Sequence, residues 1–213
     1  VDRKVVPALG GAPDVKFPEM QRATLANGMK VILMERHSAP IVNMTLAVDA
    51  GVASDSRAKS GIASLTLEML DKGTRKRNAF QLSDALESLG AQLSTGSSAD
   101  MSLVSMEAMS ANLKPSLDLL ADAVLNPAFA ADQFALQKQR RLAQIAQEKA
   151  DPNNLVLRLI PSMLYGADHA YGKPVSGTEQ TVEGITREDL VKWHADWFKP
   201  GSATIIVTGD TTL

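Results

Sequence analysis

The side chains that could do chemistry in this chain are few and widely spaced. The three histidines are His37, His169 and His194, and none has a metal-binding partner three or four positions away, as a helical zinc site needs. There are no cysteines, so disulfides, thiol nucleophiles and cysteine-bound zinc are excluded. The sequence also lacks a Gly-x-Ser-x-Gly nucleophile turn, a Gly-rich phosphate loop and a calcium-loop spacing. Residue chemistry alone predicts no active site and no cofactor.

The composition indicates a globular chain that can bury a large core. Of its 213 residues, 45% are hydrophobic and 22% are charged, which is ordinary for a soluble domain. The net charge of -2 argues against nucleic-acid binding, because dedicated binders are normally basic. No apolar run approaches the roughly 20 residues that a membrane-spanning helix needs, so we predict no membrane span.

One segment, Gly61–Thr74, is the best candidate for the centre of the fold. Nearly every residue from Ile62 to Leu70 is apolar or small, which predicts a helix buried on all sides. We expect Ser60 to cap its first turn and Gly73 to end it.

Strands and helices are mixed along the rest of the chain without regular alternation. A hairpin with a two-residue turn at Asn27-Gly28 is predicted first, and a third strand over 41–50 follows it. Further strands are predicted over 91–98, 101–109 and 203–208, and helices over 78–89, 111–125, 132–150, 153–165 and 186–198. Because three strands precede the first helix, the pattern favours an α+β fold.

Several short motifs, in order along the chain, carry a family resemblance. They are Thr24–Val31, Gly61–Ala63, Met69–Thr74, Tyr171–Glu179, Ile185–Leu190 and Trp197–Pro200. Together they resemble the pitrilysin/insulinase family of zinc peptidases, which includes the mitochondrial processing peptidase. The resemblance implies a mostly antiparallel sheet with helices packed on one face, forming a metallohydrolase-like half of a clamshell.

The resemblance also implies where a zinc site would stand. Active members carry His-x-x-Glu-His on the buried helix, with two zinc ligands and a Glu that activates the metal-bound water. Here the two His positions correspond to Ser64 and Glu68, and the Glu position to Leu67. The third ligand, a Glu of a later helix, corresponds to Gln144, and a supporting Glu to Gln137. Every position with a chemical role has changed, so we predict no metal ligands and no catalytic residues.

Two features of this degenerate site remain open from the sequence. A buried, unpaired Glu68 would be costly, so it either reaches solvent or meets a cation, for which Lys72 is the local candidate. In active relatives an extended peptide adds to a strand beside the zinc. That strand corresponds here to Leu93, Ser94, Thr95, Gly96, Ser97 and Ser98. The alternative is a solvent-tolerant edge strand that only completes the sheet.

The chain organisation follows from composition and from the resemblance. Residues 1–16, rich in Pro and Gly, are predicted to be a linker, 17–177 the degenerate peptidase-like domain, and 178–213 the start of a following similar domain of a longer protein. Bacterial relatives with such linkers are often exported, which favours the periplasm.

The resemblance supports three functional hypotheses. The first is a non-catalytic domain that completes the substrate chamber of an active zinc-peptidase half, on the same chain or a separate one, with an extended peptide as a further candidate partner. The second is a structural or assembly subunit without a proteolytic partner. The third is a divergent hydrolase that uses other residues.

Overall fold

The computed structural model describes residues 10–11 and 18–212. The linker predicted over 1–16 lies outside the described residues, apart from Gly10 and Gly11, and stays a prediction. In the described part of the chain, six strands form one sheet in the order β1-β2-β6-β3-β5-β4. They are β1 (Gln21–Thr24), β2 (Lys30–Glu35), β3 (Ile41–Val48), β4 (Gln92–Ser97), β5 (Ser102–Met109) and β6 (Ala203–Gly209). All neighbouring strands run antiparallel except β2 and β6, which are parallel.

Seven α-helices accompany the sheet in the described residues. They are α1 (Ile62–Met69), α2 (Ala79–Ser88), α3 (Leu113–Leu125), α4 (Ala131–Ala150), α5 (Pro152–Tyr165), α6 (Glu179–Gly184) and α7 (Arg187–Trp197). Along β5, buried residues alternate with exposed or half-buried ones, because one face of the sheet packs on the helices and the other does not. The predicted α+β fold, with a mostly antiparallel sheet and helices on one face, is confirmed.

Helix α1 lies in the middle of the hydrophobic core, as its apolar sequence predicts. Seven of its eight residues are buried and only Glu68 is half-buried. It packs against α4, α7, β4 and β5. The predicted cap is wrong: the residue before the helix is Gly61 in a left-handed conformation (φ 95°), and Ser60 Oγ is buried without a hydrogen-bond partner among the described residues.

Two local details also differ from the sequence expectation. The hairpin of β1 and β2 is present, but its turn runs from Leu25 to Gly28, with Gly28 N donating to Leu25 O at 2.9 Å. Asn27-Gly28 is therefore not a two-residue turn. Helix α6 was not predicted, because six residues are too few for a helical period to show.

The end of the chain belongs to the same body as the rest. Strand β6 lies between β2 and β3, pairing with both over its whole length. Helix α7 packs on α1, and Leu190 and Trp193 belong to the core. Residues 178–212 thus complete this sheet and core, and the predicted start of a following similar domain at residue 178 stays a prediction.

Candidate functional site

The first turn of α1 is held by a carboxylate from the preceding loop. Asp55 Oδ2 accepts a hydrogen bond from Gly61 N at 2.8 Å and Oδ1 accepts one from Ala63 N at 3.2 Å. These amides have no partner within the helix, and a carboxylate is favoured at this positive end of the helix dipole. Burial nevertheless raises the pKa of Asp55 from 3.8 to about 7. Asp55 is thus the capping residue that the sequence analysis assigned to Ser60.

A cavity of about 490 Å³ lies on the exposed side of α1. Ser64, Glu68 and Gln144 line it, so the structure brings together three of the positions that correspond to zinc ligands. Thr95, Gly96 and Ser97 of β4 also line it, and β4 is an edge strand of the sheet. Leu93, Ser94 and Ser98 of the same predicted segment are exposed or half-buried, and Ser98 lies just past β4.

The guanidinium of Arg141, on α4, lies between the two positions that correspond to histidines. Nη1 donates to Ser64 Oγ at 2.9 Å, and Nη2 donates to Glu68 Oε1. The Arg141 side chain is only 5% exposed, and its Nε has no hydrogen-bond partner among the described residues. The cation expected beside Glu68 is therefore Arg141. The candidate Lys72 is wrong, because its ammonium pairs with Asp71 at 2.8 Å.

The remaining predicted positions lie away from this contact. Leu67 is fully buried in the hydrophobic core. Gln137 is buried on α4, one helical turn before Arg141. Gln144 lines the cavity with an exposed side chain whose amide donates to Glu148 Oε1 at 2.8 Å. Only Ser64 and Glu68 of the predicted set share a common hydrogen-bond partner.

A second arginine fixes the far wall of the cavity. Arg158, on α5, donates to Glu148 Oε2 and to Ser176 Oγ, both at 2.6 Å, and to Gly177 O at 2.5 Å. These contacts join α4, α5 and the turn that precedes α6. Lys173 lines the cavity too, and its ammonium donates to Asp55 O at 2.6 Å.

The residues of this cavity do not fit a zinc ion. Zinc in proteins is bound by three or four side chains of Cys, His, Asp or Glu. Within the described residues, no group of three or more such side chains is placed to hold a metal. The three positions that correspond to zinc ligands offer a hydroxyl, an amide and a carboxylate that already pairs with Arg141, and the other carboxylate of the cavity, Glu148, pairs with Arg158. We therefore assign no chemistry to a metal here.

The three histidines lie outside the cavity. His37 contacts Asp210 at 2.7 Å, which raises the pKa of the imidazole. His169 stacks on Tyr165. The ring of His194 contacts Val124 O at 2.8 Å, and burial lowers its pKa. Each makes contacts of its own, and none of the three lines the cavity.

Sequence reasoning missed Arg141, Asp55 and Arg158. The spacing of Arg141 could have indicated its role. Arg141 follows Gln137 by four residues and precedes Ile145 by four, so the three residues share one face of α4. These are also the residues of α4 that are buried. An arginine on the buried face of a polar helix needs a partner, which points to a carboxylate on the adjoining helix.

Comparison with known proteins gives a consistent family. The model of the insulinase family, peptidase family M16, matches residues 30–179. An uncharacterized zinc protease of Mycobacterium leprae is 26% identical over 189 residues, covering 89% of this chain and 42% of that protein. An uncharacterized zinc protease of Bacillus subtilis is 22% identical over 191 residues, covering 90% and 46%. The chain thus spans less than half the length of these two curated relatives.

Two solved structures share the architecture. A crystal structure described as a peptidase M16 inactive domain, from Pseudomonas fluorescens, has a TM-score of 0.87 and 31% identity, covering 91% of this chain and 47% of that one. A protease from Helicobacter pylori has a TM-score of 0.85 and 21% identity, covering 92% and 47%. In the described part of this chain, no helix has the length and apolar character needed to cross a membrane.

Proposed function

Because the chain belongs to the insulinase family of peptidases, peptidase family M16, we propose that it is a non-catalytic member that completes the substrate chamber of an active zinc-binding half. The observation that carries the proposal is the cavity beside α1. It lies next to an edge strand, and Ser64, Glu68 and Gln144, the positions that correspond by resemblance to the zinc ligands, line it without forming a zinc ligand set. The inactive domain from Pseudomonas fluorescens, at 31% identity, is a precedent for such a member.

The surface of α5 supports pairing with another half. Every residue of α5 is exposed or half-buried, although most are apolar. Leu157, Met163 and Leu164 are 64%, 79% and 72% exposed. The one charged side chain of the helix, Arg158, is fully engaged in contacts within the chain. An uncharged apolar surface of this kind is typical of the centre of a protein interface, and Leu157 and Pro161 place it at the cavity wall.

The edge strand supports contact with an extended peptide. Thr95, Gly96 and Ser97 are small, they line the cavity, and β4 has no strand on its outer side among the described residues. Backbone groups of an edge strand can pair with an added strand, and small side chains leave room for it. In this proposal the chain contacts substrate without cleaving it.

The non-catalytic part is tested by metal content and activity. We expect the purified chain, after incubation with zinc and gel filtration, to carry well under 0.1 zinc per chain and to leave an unstructured peptide uncleaved, since it lacks the usual ligand set. Zinc near one per chain, lost on Glu68→Gln, together with chelator-sensitive cleavage, would show a divergent hydrolase instead.

The pairing part is tested by reconstitution. The chain is mixed with an M16 protein from the same genome that carries an intact His-x-x-Glu-His motif, and complex formation and peptidase rate are measured. We expect a defined complex and at least a tenfold higher rate than that of the active protein alone. Leu157→Glu with Met163→Glu should abolish both, while Phe80→Glu, at an equally exposed apolar residue of α2, should abolish neither.

Two results would contradict the proposed chamber role. A rate that does not change in a stable complex would show that the chain pairs with the active half without completing its substrate chamber. A chain that forms no complex with any such protein of its genome would leave the chamber role without support.

A further inference from the structure

We propose that the guanidinium of Arg141 takes the place of the zinc ion as the cation that joins α1 to α4. The inference rests on the proposed absence of zinc. It goes further, because it assigns to the Arg141 side chain the structural role of a metal ion, which is to hold α1 and α4 together. It concerns the stability and shape of the cavity and involves no catalytic step.

The contacts place one positive group between the two altered positions. Ser64 and Glu68 correspond to the two histidines of the family motif, and both accept hydrogen bonds from Arg141. Ser64 extends the contact further, because its hydroxyl donates to Val175 O at 3.0 Å. One guanidinium therefore holds α4, α1 and, through Ser64, the 174–177 turn together.

Few other residues of α4 are buried and could attach this helix to α1. The helix is polar, and only Gln137, Arg141 and Ile145 are buried among its residues. A buried guanidinium is stable only when it is paired and hydrogen-bonded, and removal of its partner leaves an uncompensated charge. The Arg141 contact is thus a main polar attachment between α4 and the central helix.

The same contact opposes metal binding. A fixed positive charge, hydrogen-bonded to both positions, repels a divalent cation in the place where it would have to bind. Arg141 also occupies the Glu68 oxygen that would be a ligand. The cavity consequently keeps its walls without a metal, and a chelator should leave it unchanged.

The first test measures thermal unfolding of Arg141→Gln, Glu68→Gln and the double variant. We expect Arg141→Gln to lower the melting temperature by roughly 5–10 °C, because the ion pair with half-buried Glu68 and the hydrogen bond to Ser64 are both lost. The double variant should melt no lower than Arg141→Gln, since the two changes remove one interaction. Lys149→Gln is the matched control. Lys149 lies on α4, like Arg141, and pairs with Glu179 of α6, but the two side chains are 50% and 44% exposed. A shift in melting temperature under about 2 °C is therefore expected.

The second test asks whether Arg141 excludes the metal. One variant carries Ser64→His, Leu67→Glu, Glu68→His and Gln144→Glu, and a second adds Arg141→Gln. Bound zinc and the zinc-induced change in melting temperature are measured for both. We expect the variant with all five substitutions to bind about one zinc per chain and to melt at a higher temperature with zinc. The variant with four substitutions, which keeps Arg141, should bind zinc at least a hundredfold more weakly.

The outcomes separate this inference from the proposed function. If the unmodified chain binds zinc and melts lower with chelator, both fail. If it binds none but Arg141→Gln melts like Lys149→Gln, only this inference fails. If Arg141→Gln does not fold, Glu68→Gln decides, because the same contact predicts a lower melting temperature than that of the control. This inference is also overturned if the variants with four and five substitutions bind zinc equally, whether both bind it tightly or neither binds it.

Discussion

Asp55 and Arg141 are two charged side chains that the fold buries beside α1. Asp55 binds the amides of the first helical turn, and Arg141 binds Ser64 and Glu68 along the helix. Asp55 satisfies amides that would otherwise be buried without a partner, and Glu68 supplies the opposite charge that the buried guanidinium of Arg141 needs. The helix that is most apolar in sequence is therefore positioned largely by polar contacts from outside it.

The raised pKa of Asp55 gives a pH dependence with a defined sign. Folding favours the protonated form, because the pKa rises from 3.8 to about 7. The stabilisation is therefore fully present below about pH 4 and is lost as the pH rises through about 7. A shift of this size corresponds to roughly 4 kcal/mol. We expect the free energy of unfolding in urea to fall between pH 4.5 and pH 8, and Asp55→Asn to remove most of that slope.

The difference between the pH profiles of Asp55→Asn and the unmodified chain reports on Asp55 alone, because every other titrating group is the same in both proteins. Asp55→Asn should also be less stable than the unmodified chain at pH 4.5, since an amide offers one oxygen where the carboxyl group has two. Parallel pH profiles for the two proteins would show that Asp55 does not titrate in this range.

The start of α1 and the turn before α6 approach each other along their backbones. Gly61 and Gly177 both have positive φ, 95° and 74°. A Cβ on Gly177 would lie 2.4 Å from Ser60 O, and one on Gly61 would lie 2.9 Å from Ser176 O. Glycine is required at both positions by conformation and by space. This contact also fixes the wall of the cavity that contains Val175 and Ser176.

We expect Gly177→Ala to destabilise the chain by about 2–4 kcal/mol, because it adds both backbone strain and a contact with backbone atoms that cannot move aside. Gly96→Ala is the matched control, since its Cβ would meet nothing within 4 Å and its φ is not positive. That change should stay within about 0.5 kcal/mol. Urea unfolding of the two variants measures the difference, and equal values would show that the close approach carries no cost.

Helix α2 is stabilised by a cap that is local in sequence. Asn78 Oδ1 accepts from Gln81 N at 2.9 Å, and Gln81 Oε1 accepts from Asn78 N at 3.0 Å. We expect Asn78→Ala to cost about 1 kcal/mol, the usual loss at such a cap. Ser83→Ala, inside the same helix and exposed, should cost less than half as much. A loss below 0.3 kcal/mol for Asn78→Ala in thermal unfolding would contradict the cap.

The whole sheet depends on its last strand. Strand β6 lies between β2 and β3, so its removal would separate the β1–β2 hairpin from the other strands and leave two unpaired edges inside the sheet. A chain that ended before residue 178 would lose α7 as well, which packs on α1. We therefore expect the described residues 18–212 to unfold as one cooperative unit.

This topology predicts that a protein ending at residue 177 does not fold. We expect it to show no cooperative thermal transition and poor dispersion of backbone amide signals in NMR spectra. The chain ending at residue 210 keeps β6 complete and should melt cooperatively, within a few degrees of the full chain. A cooperative transition in the shorter protein would contradict this expectation and support the domain boundary predicted at residue 178.

Local sequence pattern was sufficient to predict the strands, the longer helices and the positions that correspond to the family motif. The hydrophobic pattern located the central helix and the strands of the sheet, because periodicity and β-branched runs are local properties. The motifs around Gly61 and Gly73 located Ser64, Leu67 and Glu68 by simple spacing. The change in residue type at these positions is visible without a structure, since a serine and a leucine offer no zinc ligand.

How those elements contact one another became visible only in the folded chain. The partner of Glu68 lies 73 positions away in Arg141, and the cap of α1 comes from Asp55 across a loop. The central place of β6 depends on pairing with strands more than 150 residues earlier. Such contacts follow from packing between segments that are distant in sequence, and local pattern carries no information about which distant side chain arrives.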